Sequence, residues 1–81
     1  KINELIKAAE ALKEMISNHP ESIWMDDALF LLADLLENKL NDVAQAKVLY
    51  QRLMNDYPGS IFNAEARKRF RNLRGDNFIP L

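Results

Sequence analysis

An all-α fold of about four antiparallel helices, laid out as two-helix repeats, is what this 81-residue chain predicts. Three observations carry that reading. Apolar residues recur at the spacing of a helix face and nowhere alternate with the period of two that a half-buried strand requires. Proline and glycine are few and fall between the apolar stripes: Pro20 after Asn18-His19, Pro58-Gly59 after Asp56-Tyr57, and Gly75 behind the last charged stretch. The chain also resembles itself at a shift of about 38 residues, the kind of period that marks a stacked-repeat architecture.

The first helix is expected at about 3–18, where Leu5, Ala8, Ala9, Leu12, Met15 and Ile16 form one stripe. The second, at about 23–38, is apolar nearly all round and broken only by Asp26, Asp27 and Asp34. Such a helix is normally sandwiched between neighbours. The third, at about 42–56, carries Val43, Ala46, Leu49, Tyr50, Leu53 and Met54, with Tyr57 just beyond it. The fourth, at about 61–74, has a narrower stripe of Ile61, Phe62, Ala66, Phe70 and Leu73. Ser22, Asn41 and Ser60 are placed to cap helix starts, because a short side-chain oxygen can accept from an orphan amide of the first turn. Asp26, Asp27, Asp42 and Glu65 follow them, and the nearest of these favour the positive helix end. Together these elements make one domain over 1–75, with an apolar tail at 76–81.

At the repeat shift Ala8 falls on Ala46, Pro20 on Pro58, Ser22 on Ser60, Ile23 on Ile61, Ala28 on Ala66 and Leu35 on Leu73. Milder pairs are Leu12 with Tyr50, Ile16 with Met54, Trp24 with Phe62 and Asp27 with Glu65. Chance similarity between amphipathic helices would align the stripes but not the Pro-x-Ser-Ile turns. Ala8, Ala28, Ala46 and Ala66 are therefore expected where helices cross closely, and Trp24 and Phe62 in the joint between repeats.

Composition narrows the chemistry. Acidic and basic residues nearly cancel, 12 against 11, which argues against a bulk electrostatic grip on nucleic acid. Without cysteine there is no disulfide staple and no thiolate metal site. No apolar run approaches the roughly 20 residues of a membrane span. The one histidine, His19, is expected as a turn residue whose ring packs over the helix junction. Asp26 and Asp27 point about 100° apart on a helix, so they suit the N-terminal dipole better than a shared catalytic site. No metal ligand set, phosphate loop, cofactor or catalytic constellation is read, and the chain is not expected to be an enzyme. The strongest rival signal is the basic patch Arg67, Lys68, Arg69, Arg71 and Arg74. Ala66, Phe70 and Leu73 interleave with it as a buried stripe, so it is read as the solvated face of a capping helix. Binding of an anionic surface or nucleic acid through it is the alternative function, weakened by the absence of an exposed aromatic for base stacking.

The chain resembles tetratricopeptide repeat proteins, whose repeat of about 34 residues pairs antiparallel helices A and B with small residues at the crossing and a proline after helix B. Ala28-Leu29-Phe30-Leu31-Leu32-Ala33 resembles helix A, with Ala33 standing where the family usually has glycine. Ala46, Tyr50, Leu53 and Pro58 match the helix-B pattern and its exit turn. The Tyr57-Pro58-Gly59-Ser60 turn, followed by an amphipathic helix ending in Leu-Arg-Gly, is similar to bacterial envelope-associated members. The resemblance implies a right-handed solenoid, a periplasmic or envelope-associated setting and a scaffold function: the C-terminal repeats of a longer protein, binding a peptide or partner protein. It also implies a concave groove lined by Asp27, Phe30, Asp34 and Glu37 of one helix A and Glu65, Lys68 and Asn72 of the last helix. An acidic groove with one aromatic would favour peptides bearing basic residues and an apolar anchor. The basic and Asn clamp that some members close on a C-terminal carboxylate is not present.

So few repeats leave apolar surface to cover, since a continuous core normally takes about three. The tail Asn77-Phe78-Ile79-Pro80-Leu81 adds to it. Self-association of the chain as a two-fold dimer, through the first two helices or the tail, is the expectation, against a monomer whose tail folds back on the last helix.

Overall fold

A computed structural model of the chain describes residues 1–75, so the expectations for the tail lie outside the described residues. Four helices follow one another: α1 (Ile2–Asn18), α2 (Met25–Asn38), α3 (Val43–Asp56) and α4 (Asn63–Arg74). No strand occurs among the described residues. Each helix packs on its chain neighbours, α1 on α2, α2 on α3 and α3 on α4. The connections between them are short, so packed neighbours run antiparallel.

The repeat is visible bond for bond at the two turns. His19 ends α1 at φ −132°, ψ 60°, and Tyr57 ends α3 at φ −131°, ψ 61°. The Ser22 amide donates to the His19 carbonyl at 3.0 Å, and the Ser60 amide to the Tyr57 carbonyl at 3.0 Å. Each serine hydroxyl then accepts from the amide two residues on, Trp24 or Phe62, again at 3.0 Å. This displaces two expected caps. Ser22 and Ser60 brace the turns, while α2 and α4 start later and take Trp24 and Phe62 as N-cap residues without a side-chain cap bond. Asn41 does not cap α3 either. It sits at φ 55°, in the left-handed region that Asn tolerates better than most residues, and Asp42 caps instead, accepting from the Gln45 amide at 3.2 Å. Gly75 closes α4 at φ 87°, the left-handed C-terminal position glycine favours.

The core runs along the middle of the stack. α2 contributes Met25, Ala28, Leu29, Leu32, Ala33 and Leu36, buried on a broad face as expected of a sandwiched helix. α3 contributes Ala46, Tyr50 and Leu53, and α4 contributes Ala66 and Phe70. Ala28, Ala46 and Ala66 are buried at crossings as expected, but Ala8 is exposed. The reason is one of coverage. α3 is clasped by α2 and α4, whereas α1 has α2 as its one extensively packed neighbour among the described helices and buries only Ala9 and Ile16. Ile61 also leaves the stripe assigned to it: in the turn before α4 it is 87% exposed, like its counterpart Ile23 at 82%.

Candidate functional site

Four of the seven residues expected to line a groove, Phe30, Asp34, Glu37 and Glu65, meet at the joint of α2, α3 and α4. Phe30 of α2 stacks on Phe62, with ring centroids 4.9 Å apart and planes 17° from parallel. Its edge meets Tyr50 of α3 at 5.9 Å. Over the same ring, 5.0 Å from its centroid, lies the guanidinium of Arg69 from α4. Arg69 donates from Nη1 to Asp34 Oδ1 and to Tyr50 Oη (3.2 Å), and from Nε to Glu65 Oε2 at 3.0 Å. The Tyr50 hydroxyl in turn donates to Glu37 Oε1 at 2.8 Å. Glu37 also lies 3.9 Å from Arg69. Burial disfavours the charged guanidinium, but its hydrogen bonds to Tyr50, Asp34 and Glu65 outweigh that and raise the Arg69 pKa above its ordinary value. Burial pushes the Tyr50 phenol up as well, and Glu37 adds to the rise while Arg69 opposes it.

The expected acidic groove is thus filled from within. Phe30, Asp34, Glu37 and Glu65 do come together, but around a cation that had been assigned to the solvated basic face. Lys68 and Asn72 are exposed and hold, on α4, the places that Phe30 and Asp34 hold on α2. Asp27 lies elsewhere, beside the α1–α2 cleft. The basic face loses Arg69 for the same reason. Arg67 donates to Asn63 Oδ1 at 2.9 Å, Arg74 lies over the Phe70 ring at 5.0 Å, and Lys68 and Arg71 are exposed.

Two members of this region have no place in the groove expected from the sequence, although Arg69 belongs to the expected basic patch. Arg69 falls three residues after Ala66 and seven after Phe62, on the face that meets the preceding repeat; its counterpart Leu31 disguised that position. Asn63 is buried and ties α3 to α4 by donating to the carbonyls of Tyr57 (3.2 Å) and Met54 (3.4 Å). Its counterpart is Met25, and no sequence signal marked the change.

The open surface lies at the other end of the stack. A cleft of about 240 Å³ between α1 and α2 is lined by Leu12, Met15, Trp24, Asp27, Ala28 and Leu31. Trp24 is 60% exposed there and Leu31 50%. Trp24 is therefore not packed in a joint as its counterpart Phe62 is. A second cleft of about 330 Å³ adjoins it between the two turns, with Ile23, Ile61, Asp26 and Asp27 among its lining residues. His19 is exposed and lines a cleft on α1 with Ala11, Glu14, Met15 and Asn18, so it is not buried over the helix junction as expected. Among the described residues no three ionisable side chains are grouped to hold a metal ion. No helix there is long and apolar enough to cross a membrane.

Comparison with protein families finds that residues 27–60, which hold nearly all of α2, all of α3 and the turn beyond, match the tetratricopeptide repeat. Repeats of this kind generally mediate protein–protein interaction and are generally non-catalytic. No curated protein and no solved structure matches the chain.

Proposed function

From a TPR-like, all-helical chain we propose a protein–protein interaction scaffold that receives a peptide or helix of a partner at the cleft between α1 and α2. One observation carries this reading: Trp24 and Leu31 stand exposed beside Leu12 and Met15, although the counterparts of all four are engaged or buried at the second joint. Adjoining apolar side chains of this size on a small domain mark an interaction surface more often than bare solvent contact. Asp27 belongs to the surface, and Lys68 and Asn72 are proposed as further contacts on the exposed side of α4. Phe30, Asp34, Glu37 and Glu65 hold the second joint together instead.

The rival, binding of an anionic surface through α4, is separated by titrating backbone amides of the chain with three ligand sets. These are a panel of helical and extended peptides, a short RNA, and vesicles containing an anionic lipid, each at two salt concentrations. Peptide-induced shifts at residues 12–31 are expected. Shifts confined to residues 67–74, produced only by RNA or vesicles and lost steeply with salt, would overturn the scaffold reading.

A further inference from the structure

The internal repeat gives the α1–α2 cleft a template within the same molecule. Its lining residues Leu12, Met15, Trp24, Asp27, Ala28 and Leu31 correspond in order to Tyr50, Leu53, Phe62, Glu65, Ala66 and Arg69. At the second joint Tyr50, Phe62 and Arg69 together grip the Phe30 ring, which α2 presents to them. The cleft is therefore an unfilled copy of a socket that elsewhere in this chain receives an aromatic side chain from a helix.

The two sockets differ in charge. In the filled one, Asp34 and Glu37 lie one and two turns beyond Phe30 and meet Arg69 and the Tyr50 hydroxyl. In the other one the counterparts of Arg69 and Tyr50 are Leu31 and Leu12, so a carboxylate arriving there would meet neither guanidinium nor phenol hydroxyl and would be desolvated against apolar surface. Asp27 has the reverse problem. Its counterpart Glu65 is paired with Arg69, but Asp27 takes part in no ion pair among the described residues. A long basic side chain can lie with its stem on Leu31 and its head toward Asp27.

We propose that the α1–α2 cleft binds an amphipathic α-helix of a partner protein. This helix inserts an aromatic side chain against Trp24 and, one turn further on, sets a lysine or arginine across Leu31 toward Asp27. The inference rests on the scaffold reading and names the partner's chemistry. A second copy of the chain, the occupant expected from the sequence, is the rival.

Trp24 is the only tryptophan and lies in the socket, so its emission reports occupancy directly. The probes are two peptides crosslinked into helices along their outer face: the α2 sequence Met25–Asn38, and the same peptide with Asp34→Lys and Glu37→Gln. The altered peptide is expected to shift Trp24 emission to the blue and to bind at least tenfold more tightly than the unaltered one. Phe30→Ala in that peptide should abolish the shift. In the chain, Leu31→Arg should reverse the preference, and Asp27→Asn, which changes no volume, should erase it. Equal binding of both peptides, or a preference unmoved by Leu31→Arg and Asp27→Asn, overturns the proposal. So does a blue shift that follows chain concentration alone while the scattering mass doubles, which assigns the cleft to a second copy. If neither peptide shifts Trp24, this partner chemistry fails, while the scaffold reading stands or falls separately on the amide titration.

Discussion

Tyr50 shows how a single side chain can be both core and circuit. Its ring is fully buried against Phe30, yet its hydroxyl accepts from Arg69 and donates to Glu37, so no polar atom is stranded. Tyr50→Phe keeps the ring and leaves Glu37 without its donor; a loss of about 1–3 kcal/mol is expected in chemical denaturation. The raised phenol pKa sets a sign for alkaline pH. Because the folded state holds the proton more tightly than the unfolded state, whose tyrosines ionise near pH 10, the stabilisation is complete below about pH 10 and falls as pH rises beyond it. Phenolate absorbance and helical signal should change together in that range, and Tyr50→Phe should remove the absorbance step that accompanies unfolding. Ionisation of Tyr50 in a still-folded chain would contradict the network.

At the scale of the helix, position in the stack decides what a residue type means. Ala8 and Ala46 are repeat counterparts, but only Ala46 has a helix on both flanks. Ala46→Leu is expected to overpack its crossing and cost about 1–3 kcal/mol, whereas Ala8→Leu should stay within about 0.5 kcal/mol of the unaltered chain. Paired urea melts check this, and equal effects would mean that α1 and α3 are packed alike. The four helices were legible because stripes, breakers and the recurring Pro-x-Ser-Ile turn agree with one another. Their starts were less so: Ser22 and Ser60 look like caps, but their hydroxyls serve amides in the turn, a choice settled by local geometry that the residue type alone does not reveal. The site was least legible. Of the seven residues that register grouped into a groove, Phe30, Asp34, Glu37 and Glu65 meet while Asp27, Lys68 and Asn72 lie apart from them, and a charge seen one helix at a time cannot show that Arg69 crosses from α4 to join the four.

In the whole molecule, stability should be graded along the stack, since each helix draws most of its burial from its immediate neighbours. α2 and α3 are each packed by helices on two sides, and α1 on one. Amide hydrogen exchange is expected to be slowest in α2 and α3 and faster throughout α1, with local opening of α1 below the free energy of global unfolding. Uniform protection across the four helices would show a single cooperative unit. The matched turn angles at His19 and Tyr57 reach further than packing. Two links that share their cap torsions and their serine-braced hydrogen bonds turn the chain alike, so segment 19–56 acts as one step of a screw, carrying both the turn and the helix pair it orients. A gene that copied this segment in tandem would lengthen the protein without needing a new joint geometry. Each copy would still have to settle which residue stands at the place held here by Leu31 and Arg69, so length is open to duplication while recognition is left to point mutation.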